Sequence, residues 1–189
     1  MRRLVKGKKG FTLVELAIVL VIIGLLLGAI LKGQGMIRNA KIKNIIHSAD
    51  ELRAAVYTYQ DRYKALPGDD SDARTHTGDN TLNNGDGDGR IETADSEHLH
   101  LFNHLAAAGI ISGSADLMSL PSHAFGDNYY ILYTTAQGKA AHWIVYENLP
   151  GDVGRTIDYT IDDGVYDSGA VRANQNYTND NVVTLYIEF

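Results

Sequence analysis

The hydrophobic and polar positions divide this chain into four stretches. From Phe11 to Leu31 the sequence is apolar and holds 21 residues with one charge, Glu15. As a helix rising about 1.5 Å per residue, it reaches roughly 30 Å, the thickness of a bilayer's hydrocarbon core. From Met36 to Lys64 the pattern turns amphipathic. Ile42, Ile45, Ile46, Ala49, Leu52, Val56, Tyr59 and Tyr63 recur at three- and four-residue steps, while Lys41, Lys43, Asp50, Glu51, Arg53, Asp61 and Arg62 take the other faces. This predicts that the same helix continues over 32–65 and packs a stripe against a head formed by 66–189. Gly24 with Gly28 offers close helix approach, and Gly33 and Gly35 make the middle easy to loosen. Leu66-Pro67-Gly68-Asp69 ends the helix.

The third stretch, 68–97, is polar and rich in Gly, Asp and Asn. After it, Ser96 to Gly109 predicts a short helix, with Ser96 as cap, Leu99, Phe102, Leu105 and Ala106 on one face, and Gly109 as terminator. The last stretch is strand-like. Asn128–Thr135, Ala141–Tyr146 and Val182–Phe189 are β-branched and aromatic, and Ala136-Gln137-Gly138-Lys139 suits a hairpin turn. Arg155–Asp162 reads as a short helix. The expected class is α+β: a long N-terminal helix, half transmembrane and half amphipathic, against a small antiparallel sheet.

Charge sharpens this picture. Arg2, Arg3, Lys6, Lys8 and Lys9 precede the apolar run, and the positive-inside rule places that end in the cytoplasm and the head outside. From Leu66 onward there are five cations and 19 anions, so the head is predicted to be repelled by nucleic acid and by anionic membranes. There are no cysteines, so no disulfide braces the head and no lipoprotein anchor is present. No small-x-small cleavage site follows the apolar core; Leu31-Lys32-Gly33-Gln34-Gly35 does. A carboxylate near the edge of an apolar helix is costly, so Glu15 calls for a partner. A single-pass anchor would leave Glu15 unexplained.

Gly10-Phe11-Thr12-Leu13-Val14-Glu15, behind a basic leader and ahead of an unbroken apolar run, resembles the processing signal of type IV prepilins and type II secretion pseudopilins. The resemblance implies that a prepilin peptidase cuts between Gly10 and Phe11, removing leader 1–10, and that the new N-terminal Phe11 is methylated. It implies an assembly helix over 11–31 and a type IV pilin-like fold. The implied partners are other pilin or pseudopilin subunits and an inner-membrane assembly platform, with the chain starting as a single-pass inner-membrane precursor. The residues add their own reading. Cleavage would free an α-amino group one helical turn from Glu15, which could pair with its own terminus or with that of the next subunit. Glu97 to Gly113 bears a softer likeness to prepilin-like proteins with long heads.

Asn84-Gly85-Asp86-Gly87-Asp88-Gly89-Arg90-Ile91-Glu92-Thr93-Ala94-Asp95 fits the twelve-residue calcium loop. Oxygen side chains fall at positions 1, 3, 5, 9 and 12 (Asn84, Asp86, Asp88, Glu92, Asp95), Gly89 falls at the turn, and Arg90 offers its carbonyl. Asn at position 1, Asp at position 12 and the lack of a preceding helix depart from the pattern, and the alternative is a flexible polar turn. Calcium would offset carboxylate repulsion and brace the head. Asp162-Asp163-Gly164, with Asp158 and Asp167, is a second acidic cluster, read as a surface turn rather than a cation site. His98, His100 and His104 read as solvated or cap-side rather than zinc ligands. Tyr129, Tyr130, Tyr133, Trp143 and Tyr146 read mainly as sheet packing. No phosphate loop, nucleophile elbow or metalloprotease motif occurs. The expected role is structural, a filament subunit; the alternatives are a minor pilin that binds or primes through its acidic head and, without residue-level support, a tethered enzyme.

Overall fold

The computed structural model describes residues 10, 12–113, 120–178 and 180–189; the leader over 1–9 and Phe11 lie outside the described residues. The expected α+β class holds. The chain forms a long helix α1 (Leu13–Tyr63), short helices α2 (Ala73–Thr77), α3 (Glu97–Ala107) and α4 (Gly151–Ile161), and strands β1 (Tyr129–Ala136), β2 (Lys139–Pro150), β3 (Val171–Ala173) and β4 (Val182–Glu188). It divides into two units, one ending at Ala40 and one covering Lys41–Phe189.

In the first unit, α1 is continuous through Gly24, Gly28, Gly33 and Gly35. Its large apolar side chains all lie open, from Ile23 at 46% to Leu13 at 85% exposed. So much bare hydrocarbon has no stable place in water and requires a bilayer or other apolar segments around it.

The second unit holds the core. Ile42, Ile45, Ala49, Leu52, Val56 and Tyr59, the stripe read from periodicity, are buried, and Ile46 and Tyr63 pack half-buried at its margin. The antiparallel sheet runs β1-β2-β4-β3. Its register aligns Ile131 with Ile144, Ile144 with Ile187 and Val171 with Ile187, which sets a row of branched side chains in the core. Tyr146 ties the sheet to α1: its hydroxyl donates to the Ile45 carbonyl at 3.1 Å and lies 2.8 Å from Ser48 Oγ. The other sheet face closes over Ala136, Trp143 and Val145. The hairpin turn forms where expected, with Gln137 and Gly138 both at positive φ.

Several boundaries differ from the sequence reading. β2 continues past Tyr146 to Pro150, because a register shift between Tyr146 and Leu149, with Asn148 at φ 50°, absorbs the turn-like Glu147-Asn148 pair. α4 begins four residues earlier, at Gly151 directly after Pro150. α2 and β3 have no counterpart in the reading. Ser96 occupies the N-cap position of α3, but in the left-handed conformation and without a side-chain cap bond. Its carbonyl instead accepts from the N–H groups of Leu99 and His100.

Candidate functional site

Two arrangements stand out, one in each unit. The first is the start of α1. The Thr12 N–H and hydroxyl both donate to Glu15 Oε2, at 2.8 and 2.9 Å, and the Glu15 N–H donates to Thr12 Oγ1 at 3.2 Å. This is a reciprocal capping box: Thr at the N-cap and Glu three residues on each satisfy a helix-end donor. The signature, Thr-x-x-Glu before an apolar run, is visible in the sequence, yet the reading of Glu15 as an acid awaiting an amine passed over it. Glu15 has a local partner before any cleavage. Gly10 is exposed, and a Cβ there would meet nothing within 4 Å. Packing against the described residues therefore gives no reason for glycine at that position.

The second arrangement is the turn after α1 folded against the Gly/Asp loop. Gly85 donates its N–H to the Asp70 carbonyl at 2.9 Å, and a Cβ on Gly85 would lie 2.4 Å from Asp69 Cα, so two backbones cross where only glycine fits. At this crossing Asp69 reaches into the loop. Its Oδ1 accepts from Gly87 N–H at 2.8 Å and its Oδ2 from Gly89 N–H at 3.0 Å. Glu97, in the first turn of α3, does the same from the other side, accepting from Asp86 N–H at 3.2 Å and Glu92 N–H at 3.0 Å. The loop's far end is pinned: Ile91 is fully buried, donates to His142 Nε2 at 3.2 Å and accepts from Tyr133 N–H at 2.7 Å.

One carboxylate oxygen from each of Asp69, Asp86 and Glu97 falls within 4.8 Å of the others. Asp69 and Glu97 are only 4% and 2% exposed. Burial, reinforced by the Glu97 charge and opposed by the Gly89 and Gly87 N–H bonds, pushes the Asp69 carboxyl up to about 6. Burial first, then the charges of Asp86 and Asp88, raises Glu97 as well. Each oxygen engaged by one N–H keeps a second lone pair. An all-oxygen, carboxylate-rich set suits a hard cation such as calcium.

Of the six residues expected to ligate, only Asp86 belongs to this group. Asn84 Oδ1 accepts from Arg74 N–H at 3.2 Å, and Asp88 Oδ1 accepts from Arg90 N–H at 2.8 Å. Glu92 lies 3.9 Å from Arg90, and Asp95 is exposed. Asp69 and Glu97, outside the twelve-residue window, take the places nearest Asp86.

The second acidic cluster also assembles, as Asp158, Asp162 and Asp163, without Asp167. Its oxygens hold the following loop. Asp158 accepts from Tyr177 Oη at 2.7 Å and Gly164 N–H at 3.0 Å, and Asp163 accepts from Val165 N–H and Ser168 Oγ, both at 2.8 Å. Asp158 is fully buried, and burial raises its carboxyl.

The histidine reading needs correction. His104 is fully buried and His100 is 7% exposed, so neither is solvated. His104 Nδ1 accepts from Gly68 N–H at 2.9 Å, which leaves its Nε2–H to donate to the Asn83 carbonyl at 2.7 Å. One imidazole thus joins the end of α1 to the start of the loop.

A family model, the prokaryotic N-terminal methylation motif, matches residues 5–31. No curated protein matches the chain. No solved structure matches it. The matched segment contains Gly10, Phe11, Glu15 and the whole apolar run. The chain therefore carries a prepilin-type signal. That signal and the long helix followed by a small antiparallel sheet agree with the pilin and pseudopilin family and are consistent with a membrane-anchored precursor.

Proposed function

We propose that the chain is a structural subunit of a type IV pilus or a type II secretion pseudopilus. In this reading, prepilin peptidase removes residues 1–10, Phe11 becomes the methylated N-terminus, and the apolar segment stays on the product as the surface that joins copies. The observation that carries the reading is the pairing of the matched signal with the apolar first stretch of α1, whose large apolar side chains all lie exposed and whose single acid lies one turn from the cleavage point. The precursor sits in the inner membrane with its basic end in the cytoplasm and its head outside. Mass spectrometry of the exported chain tests processing: the product begins at Phe11 with an added methyl group, and any other start overturns the proposal. Glu15→Leu is expected to be processed yet to enter filaments poorly, and normal incorporation would remove the role given to the acid.

The strongly acidic head supports a second reading, a minor pilin that binds or primes. Immunogold labelling separates the two: a major subunit is decorated along the filament, a minor one rarely or at the tip.

We further propose that the head takes up calcium through Asp69, Asp86 and Glu97. Two buried carboxyls raised by their surroundings, beside a third, support this. Calorimetry on the purified chain in detergent is expected to give calcium heat that Glu97→Gln removes; no heat in the unsubstituted chain would end the idea.

A further inference from the structure

The head carries five cations, and four are engaged within the chain. Arg74 donates to the Leu82 carbonyl, Arg90 lies 3.9 Å from Glu92, Lys139 pairs with Glu188, and Arg172 donates to the Ala136 and Gln137 carbonyls. Arg155, on α4, is exposed and meets no acid or other acceptor among the described residues. In a head with 19 anions, an unpaired guanidinium calls for a reason.

Arg155 lines a hollow of about 410 Å³, within the range of about 300–1,000 Å³ usual for small-ligand sites. Tyr166 and Asn176 line it too. Among the described residues, neither the Tyr166 hydroxyl nor the Asn176 carboxamide has a hydrogen-bond partner. The buried Tyr177 ring is also part of the lining, its hydroxyl engaged by Asp158 at 2.7 Å. One turn on from Arg155, the Tyr159 ring lies against Gly164, another lining residue: a Cβ on Gly164 would sit 3.2 Å from Tyr159 Cδ2. Tyr159 is 76% exposed, so its ring is held beside the hollow and left bare. The nearby acids are committed to the loop instead. Asp158 accepts from Gly164 N–H, Asp162 from Ala170 N–H, and Asp163 from Val165 N–H and Ser168 Oγ.

We infer that this hollow binds an acidic sugar, a pyranose ring that bears a carboxylate. A guanidinium presents its donors in a planar fork that matches a carboxylate bidentately. Ring hydroxyls need donors and acceptors together, which the Asn176 carboxamide and the Tyr166 hydroxyl supply. The C–H side of the ring needs a flat apolar surface, which Tyr159 supplies. A protein partner would need an apolar anchor pocket, and Val165 is the one aliphatic side chain in the lining among the described residues. The inference stands apart from the assembly reading and holds for a major and a minor subunit alike.

The test uses the purified full chain in a detergent without a sugar headgroup, with chelator present so that calcium plays no part. Trimers of galacturonate, glucuronate and mannuronate are titrated by calorimetry, with the matching neutral trimers and acetate as controls. At least one uronate trimer is expected to bind, and its neutral counterpart about tenfold more weakly. Arg155→Gln is expected to weaken the uronate about tenfold, and Tyr159→Ala about fivefold. Both side chains are exposed, so the melting temperature is expected to hold; should either variant unfold, Asn176→Ala, about threefold weaker, takes its place. No binding of any uronate overturns the inference. Equal binding of the neutral trimer removes the carboxylate from it and overturns it as well. Displacement by acetate mole for mole reduces the hollow to an anion site only, which overturns the sugar. Undiminished binding in the variants places the sugar elsewhere and overturns the site.

Discussion

Gly85 shows how much of the head hangs on one residue. Its missing side chain is what lets the loop backbone cross the turn at Asp69, with a would-be Cβ 2.3 Å from the Asp69 carbonyl carbon. The three nearest obstructing atoms, the Asp69 carbonyl carbon and Cα and the Gly68 carbonyl oxygen, are all backbone, so no rotamer change relieves the clash. Gly85→Ala is therefore expected to destabilise the head by about 2–3 kcal/mol, read as a lower urea midpoint with an unchanged slope. Gly89 also has positive φ, but a Cβ there meets nothing within 4 Å, so Gly89→Ala carries only backbone strain and should cost less. The sequence marks both as loop glycines and cannot rank them, because the difference lies in a chain crossing with residue 69.

At the scale of elements, what was legible is what repeats. The α1 stripe has a helical period, and β1, the Gln-Gly turn and the first half of β2 carry a strand pattern around turn residues, so these were read closely. β3 is three residues long and offers no period. The second half of β2 was hidden behind a bulge, whose Glu-Asn pair looks like a turn. The candidate cation group was half legible for a similar reason. A twelve-residue template finds Asp86, but Asp69 and Glu97 come from the flanking elements and only folding brings them to it. His104 belongs to this scale too, since it clamps α3 to the end of α1 and to Asn83. Burial, partly offset by the bond to the Asn83 carbonyl, holds its pKa below the ordinary histidine value. The unfolded chain thus binds that proton more tightly than the folded one. Stability from His104 is present above about pH 6.5 and is lost as the pH falls below it. The raised carboxyls of Asp69 and Glu97 act in the opposite direction, so the test is a difference: between pH 7 and 5, His104→Gln is expected to change its melting temperature more favourably than the unsubstituted chain does.

For the whole molecule, charge is divided by position. The five leader cations precede the membrane segment, and 19 of the 23 acids lie beyond residue 65. Without a cation the head must ionise Asp69 at neutral pH against its surroundings. With its folded pKa raised to about 6, Asp69 favours the fold below about pH 4, and that contribution is lost as the pH rises through 6. A bound divalent ion would reverse the penalty. At a hundredfold excess over Kd, calcium is expected to raise the melting temperature at pH 7 by about 5–10 °C relative to chelator, with magnesium giving less. An identical melting temperature in both conditions would count against the site.

The reciprocal bonds between Thr12 and Glu15 change what the acid can contribute to a filament. Because the carboxylate is already satisfied within its own chain, meeting a neighbour's amine trades one set of bonds for another. The acid's own share in the free energy of joining is then a small difference. In any polymer of this chain the acid would select where a neighbour sits, and the apolar run would do the holding.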